Sequence, residues 1–148
     1  MVFFSTFSVV SFSTDVQNVF YFNTYHSRHQ VLDAIRNNIP YLGQGTNTSE
    51  ALNSVRVNNL SPANGARSNS TKFVIVITDG QSANYNATVA EAKELQKVAD
   101  VISIGIGPDV DRNELAAMAS NHQVVTVDNF TLLKNIKQQL TDLACVNS

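Results

Sequence analysis

The stretch Phe73-Val-Ile-Val-Ile-Thr-Asp-Gly80 decides the fold of this 148-residue chain. Its first five residues are all apolar and mostly β-branched, which is typical of a parallel strand that is covered on both faces. The apolar run then ends at Thr78, Asp79 and Gly80. Because ligands of open α/β sheets bind outside the carboxyl ends of the strands, this ending also predicts where a functional site lies.

Strand and helix patterns alternate after this stretch. Val101–Ile106 and Gln123–Val127 are two further apolar runs of strand length, and amphipathic segments cover Thr88–Ala99, Asp111–Ala119 and Phe130–Ala144. Each strand is therefore followed by one helix, with short connections between them. This order predicts an open, doubly wound, mostly parallel α/β sheet with helices on both faces.

The residues before the stretch predict a hairpin, two helices and a connection. Val9–Ser13 and Val19–Phe22 are joined by a polar segment of hairpin length. Apolar residues recur at helical spacing from Ser27 to Ile39 and from Ser49 to Val57. Residues 58–70 are rich in Asn, Ser, Gly and Pro, which indicates an exposed connection.

Two capping-box patterns mark the expected starts of helices. Ser27 precedes Gln30 by three residues, and Thr88 precedes Glu91 by the same spacing. In such a box, the first side chain accepts a hydrogen bond from the backbone of the first turn. We therefore expect helices to begin at Ser27 and Thr88.

Composition limits the class of function. With 43% apolar residues, 15% charged residues and a net charge of −2, the chain has enough apolar side chains for one domain with a core. The near-neutral charge gives no electrostatic reason to expect a nucleic-acid partner. No apolar run approaches the roughly 18 residues of a membrane span. The start at Met1 lacks a basic segment and a cleavage site, so we expect no signal peptide in this chain.

Oxygen-bearing side chains stand at the predicted binding edge, in Asp79 and in the loop that carries Thr46 and Thr48. The carboxylate of Asp79 is a hard oxygen ligand suited to Mg²⁺ or Ca²⁺, although an Asp-Gly pair also begins ordinary turns. The hydroxyls of Thr46 and Thr48 lie just before a predicted helix, and their position favours capping that helix. Position alone leaves both alternatives open.

Motifs of catalysis and of phosphate binding are missing from the sequence. Gly105-Ile-Gly107 lacks the third glycine and the lysine of a phosphate-binding loop. There is no Gly-x-Ser-x-Gly motif and no supported pair of Cys and His. We therefore expect that the protein is not an enzyme.

Taken together, several segments resemble the von Willebrand factor type A domain. The resemblance extends from about Val9 to Cys145, and the collagen-associated, matrilin-like and integrin inserted domains are the most similar in style. The segments are Val10-Ser-Phe-Ser-Thr-Asp15, Asn23-Thr-Tyr25, Gly43-Gln-Gly-Thr-Asn-Thr-Ser-Glu-Ala-Leu52, Phe73–Gly80, Val101-Ile-Ser-Ile-Gly-Ile-Gly107 and Asp128-Asn-Phe130.

This resemblance implies a metal-ion-dependent adhesion site. Thr46 would supply a hydroxyl ligand and Asp79 a carboxylate to Mg²⁺ or another divalent cation. An acidic side chain of a protein partner would complete the coordination. The resemblance thus implies an adhesion module of the extracellular matrix or cell surface, whose partner is a collagen-like or other matrix protein. The alternative is a structural or assembly module with a degenerate, metal-independent site.

The sequence also departs from the family pattern. The family's first, central strand ends in Asp-x-Ser-x-Ser and is followed by a helix, whereas here the resemblance begins at the second strand. We therefore expect residues 1–148 to form a single, incomplete, N-terminally truncated domain with two unpaired strand edges. Met1–Phe7 could insert in place of the strand, since its residues have strand propensity. With Thr46 and Asp79 as the only matched ligands, metal binding should be weak or absent.

Cys145 and two sequons complete the candidate residues. By resemblance to extracellular members of the family, Cys145 would pair with a cysteine outside this chain; the alternative is a free thiol. Asn59 and Asn69 begin Asn-x-Ser/Thr sequons in the predicted exposed connection, where a glycan would be tolerated. The sequon at Asn47 lies in the candidate metal loop, and we expect it to be unused.

Overall fold

The computed structural model describes residues 5–136, which form two β-sheets packed with helices. One sheet is an antiparallel pair and the other has three parallel strands with β4 in the centre. The strands are β1 (Val9–Phe12), β2 (Val16–Phe20), β3 (Phe73–Thr78), β4 (Asp100–Ile106) and β5 (Val124–Val127).

Four α-helices and several shorter turns of helix connect the strands. The α-helices are α1 (Arg28–Asn37), α2 (Thr48–Ser54), α3 (Tyr85–Leu95) and α4 (Arg112–Met118). A π-helical turn, Val55–Asn59, continues α2, and 3-10 turns cover Pro62–Asn64, Ser120–His122 and Phe130–Ile136. The predicted α/β fold is confirmed. The rest of the predicted closing helix, and Cys145, lie outside the described residues.

The parallel sheet has a separate apolar cluster on each face. On the first face, β3 and β4 pack against α2, α3 and α4, with Leu95 and Val101 fully buried at its centre. On the second face, Ile102 and Ile104 of β4 are fully buried with β5 and with Ile136 of the last 3-10 turn. The sheet is therefore covered on both faces at its central strand.

The second face of β3 is different, and here the prediction of a fully covered strand is wrong. Ile75 and Ile77 remain 47% and 46% exposed, although they pair in register with the fully buried Ile102 and Ile104. The first five residues of β3 are all apolar, and alternate residues lie on the two faces of the sheet. In residues 5–136, only one of those faces is covered.

Within the described residues, β1 and β3 each pair along one edge only. β1 bonds to β2 and β3 bonds to β4, so each strand has one edge without a strand partner. Because β2 and β5 likewise pair along one edge only in this part of the chain, the expected gap in the sheet stays a prediction. Met1–Phe7 is the segment predicted to insert as a strand. Residues 5–7 of this segment are described, and they and Ser8 have no strand structure.

Helix α2 connects the hairpin to the larger sheet. Asn18 of β2 and Ser54 of α2 exchange hydrogen bonds of 3.1 and 3.2 Å. Just beyond α2, the Arg56 guanidinium donates to Glu91 of α3 over 2.5 Å, and Asn53 donates to the same carboxylate. Since Leu52 of α2 belongs to the same core cluster as Val76 of β3, α2 links the hairpin to the larger sheet.

One of the two predicted helix starts is confirmed. Ser27 caps α1, and its hydroxyl accepts a hydrogen bond from the Gln30 N–H as the pattern predicts. The start at Thr88 is wrong, because Asn84 caps α3 by accepting from the Ala87 N–H. Thr88 lies within α3 and is fully buried. The Asn84 side chain accepts the same kind of backbone hydrogen bond that a Ser or Thr cap accepts, although no capping box is present. The Thr88 pattern therefore predicted a helix start about one turn too late.

The prediction that Asn59 lies in an exposed connection is also wrong. The π-helical turn buries Asn59 to 3% exposure, and its amide donates to Ser8 Oγ over 2.6 Å. A glycan on Asn59 would require this packing to open. Asn69 is exposed, as predicted.

The fully buried position of Leu95 in the first cluster gives a test of the packing. Leu95→Ala should lower the free energy of unfolding by about 2–5 kcal/mol, because it removes apolar contacts and leaves a cavity. Urea denaturation followed by circular dichroism measures this change.

The matched control is Leu32→Ala on α1, where Leu32 is 36% exposed. This change should alter stability by less than about 1 kcal/mol. Equal losses in the two variants would contradict the assignment of Leu95 to the core.

Candidate metal centre

The loop that carries Thr46 rests on the turn between β1 and β2. The Asn47 N–H donates to the Ser13 carbonyl over 2.7 Å, and the Asn47 amide donates to the Thr14 carbonyl over 3.3 Å. Gly45 has a φ of +123°, and a Cβ at this position would overlap Thr14. Only glycine allows both this backbone conformation and this approach. The loop is therefore fixed on one side by main-chain contacts.

Thr46 itself lies between this turn and the loop that follows β3. Its carbonyl accepts a hydrogen bond of 2.8 Å from the Ala83 N–H. Its hydroxyl oxygen is 3.8 Å from the position that a Cβ on Gly80 would occupy. The fold thus brings Thr46, in the loop between α1 and α2, beside Gly80, the residue after Asp79.

Neither candidate ligand is engaged in the part of the chain that the structure describes. Asn47, rather than Thr46 or Thr48, caps α2 by accepting from the Glu50 N–H. The Thr46 hydroxyl makes no hydrogen bond to residues 5–136, and the exposed Asp79 carboxylate has no hydrogen bond or ion pair there. The capping and turn roles that were the alternatives to metal binding are therefore not observed for these two side chains.

The loop of residues 79–83, called the site loop below, is anchored at both ends. At its start, the Thr78 hydroxyl donates to the Gly80 carbonyl over 3.1 Å and accepts from the Gly80 N–H over 3.4 Å. Near its end, the Ser82 N–H donates to Glu114 Oε2 over 3.0 Å, and the Ser82 hydroxyl donates to Oε1 of the same carboxylate.

Sequence reasoning missed the role of Glu114. It places Asp111 and Glu114 in the first turn of a helix, and Asp111 does cap α4. Nothing in the local sequence shows that Glu114 is 3% exposed and bonded to a residue 32 positions earlier. The one sequence signal is the three-residue spacing of Asp111 and Glu114, which resembles a capping box. This spacing predicts that the Glu114 carboxylate accepts a hydrogen bond but does not say from which residue.

Thr46 and Asp79 are the kind of ligand that a hard divalent cation prefers, but two ligands are too few to fill its coordination sphere. Hydroxyl and carboxylate oxygens are the ligands that Mg²⁺ and Ca²⁺ prefer, and these cations take about six or more oxygens. Residues 5–136 contain no group of three His, Cys, Asp or Glu side chains arranged to hold a metal. A cation bound by Thr46 and Asp79 would therefore keep most of its ligands as water.

A groove at the opposite end of β3, beside Lys72, is lined by several charged side chains. It is lined by Arg56, Leu60, Lys72, Glu94, Lys97 and Val98. A hydrogen bond from Lys97 lowers the pKa of Glu94, and a hydrogen bond to Glu91 raises the pKa of Arg56. Because Arg56 and Lys97 are each paired with a carboxylate, most of the positive charge of this groove is offset.

The sequence profile of the von Willebrand factor type A domain matches residues 4–139. Among curated proteins, the newt (Notophthalmus viridescens) collagen alpha-1(XII) chain is 33% identical over 142 residues, which cover 93% of this chain and 15% of the collagen chain. Human matrilin-1 is 32% identical, with 93% of this chain and 28% of matrilin-1 covered. Mouse integrin alpha-X is 31% identical, with 92% and 12% covered. The chain thus spans less than a third of the length of these relatives.

Solved structures show the same fold. Proximal thread matrix protein 1 from the mussel byssus, in a structure described as having a zinc-occupied MIDAS motif, has a TM-score of 0.91 and 33% identity; 95% of this chain and 36% of that chain are covered. The manganese-loaded TRAP protein of Plasmodium vivax has a TM-score of 0.66 at 19% identity, with 90% of this chain and 56% of that chain covered, and supports the fold alone. The relatives are matrix and adhesion proteins, which agrees with the expectation that this domain is not an enzyme. Because the family profile covers residues 4–139, the chain belongs to the von Willebrand factor type A family.

Proposed function

We propose that this chain is an adhesion module that binds a protein of the extracellular matrix through a divalent cation held by Thr46 and Asp79. The observation that supports this most directly is the pair of loops at the carboxyl end of β3. Hydrogen bonds fix both loops, yet the Thr46 hydroxyl and the Asp79 carboxylate have no partner within the described residues. Free oxygen ligands on fixed loops are what a cation site requires.

The cation we propose is Mg²⁺ or another divalent ion, bound weakly. Two protein ligands leave about four coordination positions to water. One of these positions would accept an acidic side chain of the partner, so that the cation bridges the two proteins. The zinc named for the byssus protein is a property of that protein, and it supports the proposal of a divalent cation here.

The relatives support the class of partner and the location. Collagen chains, matrilin-1 and an integrin are matrix or cell-surface proteins, and the family shared with them indicates an adhesion or protein-interaction module. From this we propose an extracellular or cell-surface location and a collagen-like or other matrix partner. No helix among the described residues is long and apolar enough to cross a membrane.

The second candidate function is a structural or assembly module that works without metal. The observation that favours it is the small number of protein ligands, two side chains where a hard cation needs about six oxygens. In this case the protein would bind its partner through its surface alone. The two functions differ in their response to chelation.

Other expectations also remain proposals. Residues 1–148 are proposed as a single, incomplete domain, and Cys145 as half of a disulfide with a cysteine outside this chain. Asn69, which is exposed in the connection before β3, remains a proposed glycosylation site.

The strength of metal binding is the first prediction. In a titration with Mg²⁺ followed by amide shifts in NMR spectra, the Gly80 resonance should move with a dissociation constant of about 0.1–1 mM or weaker, because water supplies most ligands. Asp79→Ala should abolish the shift. Asp33→Ala, which removes an exposed carboxylate from α1, should leave it unchanged.

Low-micromolar binding that disappears in Asp79→Ala would overturn the claim that the site is weak. Binding that both Asp79→Ala and Thr46→Ala leave intact would show that the ion binds elsewhere.

Chelation separates the two candidate functions. Binding of the protein to surfaces coated with fibrillar collagen or with a basement-membrane extract should be reduced by EDTA and restored by Mg²⁺, because the proposed bridge needs the ion. Asp79→Ala should reduce binding to the level seen in EDTA. Binding that neither EDTA nor Asp79→Ala changes would favour the metal-independent module instead.

A further inference from the structure

Glu114 is a buried carboxylate whose two oxygens both bond to one residue of the site loop. The side chain is 3% exposed, and Ser82 donates to it through its backbone N–H and its hydroxyl. Burying a charged group is unfavourable unless hydrogen bonds compensate for the lost water. The two donors of Ser82 provide that compensation, so Glu114 and the site loop depend on each other.

The bonding of Glu114 departs from its local pattern. Asp111 caps α4, accepting hydrogen bonds from the N–H groups of Asn113 at 2.8 Å and Glu114 at 3.3 Å. In a complete capping box, the glutamate three residues on would turn back to the N–H of the cap residue. Here the Glu114 carboxylate bonds to Ser82 instead. The helix start is held by Asp111 alone, which leaves Glu114 available to hold the loop.

Helix α4 is itself a fixed support. Leu115, next to Glu114, is 1% exposed and lies so close to Gly105 of β4 that a Cβ on this glycine would come within 2.5 Å of it. At the other end of α4, the Gln96 amide donates to the carbonyls of Ala117 and Met118 over 3.1 and 2.8 Å. Glu114 therefore extends from a helix whose position is set by the core.

The neighbour of Ser82 contacts the other loop of the candidate site. Ala83 donates its N–H to the Thr46 carbonyl, while Ser82 is held by Glu114. Two consecutive residues thus tie the site loop to Thr46 on one side and to α4 on the other. Asp79 lies three residues before Ser82 on the same loop.

We propose that Glu114 is a positioning residue of the candidate metal site, which holds the site loop so that Asp79 and Thr46 act on the same ion. This inference rests on the proposed function, and it adds a residue that is neither a ligand nor part of the motifs that suggested the site. Glu114 acts through Ser82.

Two substitutions separate positioning from charge. Glu114→Ala removes both acceptors and leaves the Ser82 donors without their partner. Glu114→Gln removes the charge but keeps the shape: its oxygen accepts from the Ser82 N–H, and its NH₂ group donates to the Ser82 hydroxyl. If Glu114 acts by position, the Gln variant should resemble the wild type. The matched control for lost stability is Leu115→Val, which weakens the packing of α4 without touching Ser82.

The experiment measures the loop and the site separately on the whole chain. Hydrogen exchange of the Ser82 and Ala83 amides reports on the loop. Paramagnetic broadening of the Gly80 amide during titration with Mn²⁺ reports on the site. In Glu114→Ala, both the exchange rates and the Mn²⁺ concentration for half-maximal broadening should rise about tenfold, since the loss of a buried hydrogen-bonded partner corresponds to that factor or more. In Glu114→Gln and Leu115→Val, both should stay within about threefold of the wild type.

Each of the following outcomes would contradict a different step of the proposal. Unchanged exchange in Glu114→Ala would show that the carboxylate does not hold the loop. Faster exchange in Glu114→Ala with an unchanged Mn²⁺ titration would show that the site does not need the fixed loop. Mn²⁺ binding in Glu114→Gln as weak as in Glu114→Ala would show that the effect comes from the charge. Mn²⁺ binding that Glu114→Ala does not weaken contradicts the Glu114 proposal alone, whereas no Mn²⁺ binding by the wild type contradicts the proposed function.

Discussion

The candidate site depends on one constraint, the fixing of the Thr46 loop by main-chain hydrogen bonds on both sides. Asn47 donates to Ser13 at the end of β1, and Thr46 accepts from Ala83 after β3. No strand–strand hydrogen bonds join the two sheets within residues 5–136. At this end of the molecule, the Thr46 loop therefore links the hairpin to the larger sheet, as a strand shared by both sheets would. The Asn47 N–H and the Thr46 carbonyl make these hydrogen bonds, whereas the Thr46 hydroxyl makes none within residues 5–136.

The parts of the fold that sequence reasoning predicted are those with local signals. The runs that form β3, β4 and β5 are apolar and β-branched, and the order of strands and helices limits the sheet to few topologies. Ser27 and Asp111 cap their helices because each bonds to a backbone group two or three residues away. The position of Asp79 at the binding edge follows from the end of β3, whereas the assignment of Thr46, between α1 and α2, comes from the family resemblance.

Apart from the start of α3, where Asn84 and not Thr88 is the cap, the parts that it missed involve partners far along the chain. The exposure of Ile75 and Ile77 depends on what covers β3, which the sequence of β3 does not contain. The burial of Asn59 depends on Ser8, 51 residues away, and the role of Glu114 depends on Ser82. In each case the residue type is compatible with either environment, so only the tertiary contacts decide between them.

The central claim is that the Thr46 hydroxyl is a ligand of a divalent cation. Thr46→Val keeps the shape of the side chain and the backbone contact with Ala83 but removes the hydroxyl, whereas Thr46→Ser keeps the hydroxyl. A Mg²⁺ titration of these two variants, followed by the amide resonances of residues 79–83, tests the claim most directly. The account predicts that Thr46→Ser binds Mg²⁺ like the wild type and that Thr46→Val loses binding. Equal binding by the two variants would contradict it.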